Sequence, residues 1–150
     1  MQHRIRTVTW KFQDCTPAYP QLSKEKLQVH SPEDVFRYFQ FLFKDQARER
    51  FVVLWLNSAN TVIGFEIITE GILNSSLAHP REVFRGAIVA TSASIIISHN
   101  HPSGNPEPSS EDIAITKQLV EAGKILGIPV QDHIIFAENK YTSMAERGLL

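Results

Sequence analysis

The pattern of hydrophobic and polar positions changes period along the chain, from the two-residue alternation of strands to the spacing of amphipathic helices. Val8, Trp10 and Phe12 alternate with polar residues, which predicts a half-buried strand near the N-terminus. Further strands are predicted over residues 51–56, 61–68, 94–98, 128–136 and 141–143. Helices are predicted to begin at Pro32 and Pro80 and to cover residues 113–126. Because strands and helices alternate, we expect an α/β or α+β fold with a mixed sheet flanked by helices.

Length and composition are those of an ordinary globular domain. The chain has 150 residues, of which 43% are hydrophobic and 21% are charged, so we expect a single domain over residues 1–150. Residues 1–30 are expected to form its N-terminal strand and an irregular extension. The single cysteine, Cys15, permits no disulfide within the chain.

Charge and hydropathy argue against two classes of protein. The net charge is −1, whereas a dedicated nucleic-acid-binding protein usually carries a basic surface. No run approaches the roughly 20 apolar residues of a membrane span, and the N-terminus lacks the apolar core of a signal peptide. We therefore expect a cytoplasmic protein without a membrane segment.

Two histidines follow a strand that contains three consecutive isoleucines, within the stretch SHNHPSGNPEPSSED at residues 98–112. Side chains alternate along a strand, so His99 and His101 should face one side and Asn100 the other. Two imidazoles on one side are half of a zinc site, although the same pair also occurs in ordinary strands. Gly104 and three prolines then favour a fixed reversal of the chain.

Ser109 and Asp112 follow this reversal with the spacing of a helix cap. In Ser-x-x-Asp the serine caps the helix and the acid occupies its third position, near the positive end of the helix dipole. A capping box of this kind needs no catalytic explanation. The same placement allows Asp112 to face the two histidines, and three protein ligands with one open position are typical of catalytic zinc. The residues alone leave both interpretations open.

The complete spacing H-x-H-x7-S-x2-D resembles the JAMM motif of MPN-type metalloproteases. The neighbouring segments HPREVFRGA and VEAGKILGIPVQDHII are similar to the JAB domain of bacterial RadC proteins, and the resemblance extends from about residue 30 to the C-terminus. RadC proteins usually carry an additional N-terminal helix-hairpin-helix region, so the chain resembles a short form without it.

The resemblance implies a JAB/MPN-like fold and one Zn²⁺ per chain, held by His99, His101 and Asp112. It also implies that Ser109 donates a hydrogen bond to the oxyanion that develops during hydrolysis.

A glutamate general base on an upstream strand is implied as well, and the stretch GFEIITEG offers Glu66 and Glu70. Glu66 is favoured because it lies five residues ahead of Gly71, as the base does in similar RadC-like domains. The apolar neighbours of Glu66 in the sequence support the same choice. Burying a carboxylate among apolar residues costs free energy unless the group has a partner or a function.

The implied activity is hydrolysis of a peptide or isopeptide bond in a peptide or protein substrate by a zinc-activated water. One alternative is a non-catalytic MPN-type binding or scaffold module. Another is a role in DNA repair, which the RadC name suggests, although the near-neutral charge argues against direct binding to DNA.

Other histidines and aromatic residues are given ordinary roles. His133 follows Asp132 at the start of a predicted strand, where a contact behind the ligands or a packing role is expected rather than ligation. A surface or capping role is expected for His79, and core positions are expected for Trp10 and Trp55.

Overall fold

The computed structural model describes residues 3–71 and 78–150. The helices are α1 (Pro32–Phe39), α2 (Pro80–Val89) and α3 (Ser110–Leu126), with short 3₁₀ turns at Pro20–Ser23 and Gln40–Leu42. The strands are β1 (Glu49–Leu56), β2 (Val62–Gly71), β3 (Ser94–Asn100), β4 (Val130–Ala137) and β5 (Lys140–Ser143). These strands form one sheet in the order β2-β1-β3-β4-β5, in which β3 and β4 are parallel and the other neighbours antiparallel. The predicted mixed sheet flanked by helices is confirmed.

The central strand β3 is buried along its whole length, as its three consecutive isoleucines predict. Ile95 and Ile97 face a hydrophobic core that α2 and α3 cover, whereas Ile96 faces a second core that α1 covers. A slip of one residue would exchange the two faces, so the two cores fix the register of β3.

The helix α3 begins after the predicted cap residue Ser109 and ends at Leu126, the last residue of the predicted helix. The hydroxyl of Ser109 accepts a hydrogen bond from the backbone N–H of Asp112 at 3.1 Å. Gly127 ends the helix in the left-handed conformation, with φ 69°, which glycine adopts more readily than other residues. No helix in the described residues is both long and apolar enough to cross a membrane.

A bulge at Ile68 interrupts the ladder between β1 and β2. Residues four apart in a regular strand face the same side, but one extra residue reverses that relation. Glu66 lies opposite Val53, which belongs to the core beneath α2 and α3, whereas Glu70 lies opposite Arg50 on the other face. The two candidate glutamates are therefore separated by the sheet.

The predicted strand at Val8, Trp10 and Phe12 is wrong. Residues 3–15 have no regular secondary structure, and these three side chains are 64%, 57% and 60% exposed. Alternation indicates which side chains would share a face, but it does not supply the neighbouring strand that completes a ladder of hydrogen bonds. Trp10 therefore lies outside the core, whereas Trp55 packs against it as expected.

Replacing Gly123 of α3 with alanine is expected to destabilise the protein, because a Cβ there would lie 2.5 Å from the backbone oxygen of Ile128. A backbone oxygen cannot move aside easily, so an overpacking cost of about 1–3 kcal/mol should exceed the helix-propensity gain of about 1 kcal/mol. Chemical denaturation measures the difference in the free energy of unfolding. The control is Gln118→Ala at an exposed position of the same helix, which should change stability by less than about 0.5 kcal/mol. A Gly123→Ala variant as stable as the parent would contradict the close contact.

Candidate metal centre

Three side chains meet at the carboxyl end of β3. Their possible ligand atoms, one each from His99, His101 and Asp112, all lie within 4.8 Å of one another. The two Nε2 atoms are 3.0 Å apart, and each is 3.2 Å from a different carboxylate oxygen, Oδ1 for His99 and Oδ2 for His101. Two imidazole nitrogens and a carboxylate are a donor set suited to zinc and similar divalent ions. The residues predicted from the sequence are brought together and could hold a metal ion.

Strand geometry places both histidines on one side of β3, as predicted. His99 pairs with Phe51 in the ladder to β1 and stacks against its ring at a centroid distance of 6.3 Å. The Asn100 carboxamide accepts a hydrogen bond from the backbone N–H of Arg50 at 2.7 Å and donates one to the carbonyl of Arg48 at 3.1 Å. These two bonds tie the end of β3 to the start of β1 and so limit the movement of the histidines.

The loop between β3 and α3 returns the chain so that Asp112 faces the histidines. It turns at Gly104, where φ is 80° and the backbone N–H donates to the carbonyl of His101 at 3.0 Å. The Oδ2 atom of Asp112 accepts a hydrogen bond from the backbone N–H of Ser109 at 2.7 Å. The capping box predicted from Ser-x-x-Asp is therefore present, and it orients the carboxylate toward the two rings.

The Nδ1 atom of each histidine in the group is occupied by a contact behind it. Nδ1 of His101 lies 2.8 Å from the carbonyl oxygen of Asn105, which only accepts, so this nitrogen carries a hydrogen. A neutral imidazole carries one hydrogen, and Nε2 of His101 is then left with a lone pair directed at the group. Nδ1 of His99 lies 2.7 Å from Nε2 of His133. The group therefore offers nitrogens of the kind that a metal ion requires.

Asp112 is almost fully buried and remains ionised at neutral pH. Burial raises the pKa of its carboxyl group, but the close contacts with His101 and His99 and the hydrogen bond from the N–H of Ser109 together lower that pKa far below its usual range. A permanent negative charge between two imidazoles favours the binding of a cation.

The pKa of His101, which belongs to the group, and the pKa of His133, which lies behind it, are shifted in opposite directions. The hydrogen bond to Asp112 is the main reason that the pKa of His101 is raised; burial opposes it, and the charge of Glu49 adds to it. Complete burial instead lowers the pKa of His133 well below its usual value, so this ring is neutral at physiological pH.

Glu66, the general base predicted from the sequence, lies on the sheet face that carries His99 but is engaged with α2. It is opposite Val53, two residues along β1 from the partner of His99. Its Oε1 atom accepts a hydrogen bond from Arg85 at 3.1 Å, and its Oε2 atom is 2.6 Å from the place where a Cβ at Gly86 would be. These contacts dock α2 onto β2, and the catalytic role of Glu66 stays a prediction.

A second acid near the group, Glu49, was missed by the sequence reasoning. It is the first residue of β1, and Phe51 two residues later is the antiparallel partner of His99. The same register continued by two residues brings Glu49 level with His101. After the hydrogen bond to Asp112, the charge of Glu49 is among the influences that raise the pKa of His101. Finding this acid requires the register of β1 against β3, which the sequence does not state.

His133 lies behind the group and contacts His99, as predicted for a residue that is not a ligand. Its backbone N–H donates to Oδ1 of Asp132 at 2.7 Å, and Oδ2 of Asp132 accepts from the hydroxyl of Ser143 at 2.6 Å. These bonds fix β4 at the level of the group. His79 caps α2, as expected, by accepting a hydrogen bond from the backbone N–H of the second residue after it.

Comparison with known proteins points the same way as the geometry. The RadC-like JAB domain family matches residues 29–149. UPF0758 proteins of Salinibacter ruber and Staphylococcus haemolyticus are 52% and 53% identical over 84% and 83% of the chain, and one of Methanosarcina mazei is 43% identical over 86%. The chain spans 54–56% of the length of these relatives. Because the family match covers most of the described residues, the chain belongs to the RadC-like JAB domain family.

Proposed function

We propose that the protein is a zinc-dependent hydrolase that cleaves a peptide or isopeptide bond in a peptide or protein substrate. The supporting observation is the convergence of two imidazole Nε2 atoms and the Asp112 carboxylate, while both Nδ1 atoms are occupied elsewhere. Three protein ligands leave one position open, which is typical of catalytic rather than structural zinc. When bound, zinc supplies the Lewis acidity that activates water and polarises a carbonyl.

His101 marks the side from which a substrate reaches the site. Its side chain is 14% exposed, whereas that of His99 is fully buried. A cleft of about 570 Å³ also borders His101, but Phe43 and Phe136 in its lining belong to the core on the other face of the sheet.

Two glutamates compete for the role of general base. Glu66 was selected from the sequence, but its carboxylate is held by Arg85. We favour Glu49, because the continued register of β1 brings it level with His101 and because its charge acts on that ring. In this role the carboxylate takes a proton from the attacking water and passes it to the leaving amine.

Ser109 is assigned the role of oxyanion donor that the family resemblance implies. Its hydroxyl oxygen accepts the hydrogen bond from the backbone N–H of Asp112. A hydroxyl can accept and donate at once, so its own hydrogen is available to a developing negative charge. Donors of this kind contribute roughly 2.7–4 kcal/mol to stabilising a transition state.

Purified protein is expected to bind about one zinc ion per chain with its three-ligand set, and His101→Ala should remove most of that binding. His101 is the ligand to test, because it follows the last residue of β3 and its loss leaves the core intact. Elemental analysis after dialysis measures the bound metal, and competition with a chromogenic chelator measures the affinity.

His30→Ala is the matched control for the metal experiment. It removes another histidine from the surface and should leave both the zinc content and the affinity unchanged. Equal zinc binding by the parent and by His101→Ala would refute the proposed centre.

Glu49→Gln is expected to reduce hydrolysis on the order of 10²–10⁴-fold, the usual contribution of a general base, while zinc binding is retained. Glu66→Gln should keep the rate and at most alter stability, because it weakens a partly exposed ion pair with Arg85. The measurement is digestion of a peptide and isopeptide library by zinc-loaded protein, followed by mass spectrometry.

Glu70→Gln serves as the control, since it removes a similar ion pair on the opposite sheet face, 2.5 Å from Arg50. Loss of the rate in Glu66→Gln but not in Glu49→Gln would restore the assignment made from the sequence. Zinc-loaded protein that cleaves no member of the library would instead favour a binding or scaffold module.

A further inference from the structure

A buried chain of hydrogen bonds runs from His99 away from the metal group and into α3. Nδ1 of His99 is 2.7 Å from Nε2 of His133, and Nδ1 of His133 is 2.6 Å from the Thr116 hydroxyl. That hydroxyl is in turn 2.6 Å from the backbone carbonyl oxygen of Asp112. Both rings and the threonine are fully buried.

The far end of this chain determines its direction. The carbonyl of Asp112 can only accept, and the sulfur of Met144, 3.5 Å from the Thr116 hydroxyl, is also an acceptor. The Thr116 hydroxyl donates its single hydrogen to the carbonyl oxygen of Asp112, which leaves its oxygen to accept from Nδ1 of His133. Because a neutral imidazole carries one hydrogen, Nε2 of His133 then accepts from Nδ1 of His99.

We propose that Thr116 and His133 are positioning residues that keep the hydrogen of His99 on Nδ1 and leave its Nε2 lone pair directed at the metal group. This inference rests on the metal centre of the proposed function. The opposite direction would place a hydrogen on Nε2 of His99, which lies 3.2 Å from Oδ1 of Asp112 and 3.0 Å from Nε2 of His101. A hydrogen there would occupy the place of the ion.

One face of α3 supports the metal group through two different residues. Asp112 and Thr116 are four residues apart and so lie on the same face. Asp112 supplies a carboxylate to the group, and the Thr116 hydroxyl bonds back to the carbonyl of Asp112. The ligand on α3 and the anchor of the ring on β3 are therefore fixed by the same turn of helix.

Thr116→Val removes the hydroxyl with little change in shape. Nδ1–H of His133 would then have no acceptor in a buried site, which is unfavourable, so the ring should move its hydrogen to Nε2. That hydrogen points at Nδ1 of His99 and shifts the hydrogen of His99 to Nε2. We expect zinc affinity to fall about 10- to 100-fold, the usual effect of losing a partner of a metal-ligating histidine.

Thr116→Ser keeps the hydroxyl that accepts from His133. Its zinc affinity should therefore lie within roughly a few-fold of the parent's. Ser98→Ala is the matched control, because it removes a buried hydroxyl next to His99 that has no hydrogen-bond partner in the described residues. Chelator competition gives the affinities. A Thr116→Val variant with the parent's affinity would overturn the proposal.

The hydrogen position itself can be observed without metal and without turnover. Long-range ¹H–¹⁵N spectra of the zinc-free parent should show His99 with its hydrogen on Nδ1, and Thr116→Val should show it on Nε2. A hydrogen on Nε2 of His99 in the parent would overturn the proposal even if Thr116→Val failed to fold. Protein with the expected hydrogen position and zinc binding but no hydrolysis would refute only the hydrolase, so the two failures are distinguishable.

Discussion

The parallel pairing of β3 with β4 is the constraint on which the site depends. Parallel neighbours cannot be joined by a tight turn, so the chain must cross over the sheet, and α3 provides the crossover. The helix has to start near the point where β3 ends. Its N-terminus, with Ser109 and Asp112, therefore stands beside the two histidines that follow the isoleucines. A ligand site at the carboxyl end of a central strand is a consequence of this connectivity.

The second requirement is that the buried polar groups of the site have hydrogen-bond partners. His99, Asp112, Thr116 and His133 are all buried, and an unpaired polar group in such a position is costly. Each of the four is hydrogen-bonded to another member or to the backbone. Bonds in a poorly solvated site strengthen one another, and the loss of one leaves its neighbours unsatisfied. The network consequently holds one arrangement of side chains rather than several.

Local spacing was sufficient to predict the parts of the structure that depend on neighbours in sequence. Alternation in β3 placed His99 and His101 together, and Ser-x-x-Asp located the start of α3 and the direction of the Asp112 carboxylate. The consecutive isoleucines identified a strand covered on both faces. In each case the interacting atoms are separated by a few residues, so periodicity fixes their geometry.

Features that depend on strand pairing were not predictable in this way. The alternation of Val8 and Phe12 is genuine, but no described strand completes a ladder with it. The bulge at Ile68 changes which face of the sheet Glu70 occupies. No residue type in the sequence indicates that a bulge occurs there. Glu49 was not singled out from the sequence, and its place level with the histidines follows only when the register of β1 against β3 is continued beyond Phe51.

At the start of α3 the same atoms serve the helix cap and the metal group. A substitution there would change both, so this overlap determines which ligand is best mutated to test the metal group. Oδ2 of Asp112 accepts the cap hydrogen bond from Ser109 at 2.7 Å and also lies 3.2 Å from Nε2 of His101. A lost cap costs about 0.5–2 kcal/mol, so changing Asp112 would weaken the helix and the metal group together. A substitution of His99 would likewise affect both the fold and the metal group, because its ring packs on Phe51 within the core. His101 lies beyond the strand and partly in solvent, so its loss leaves the core and the cap of α3 intact.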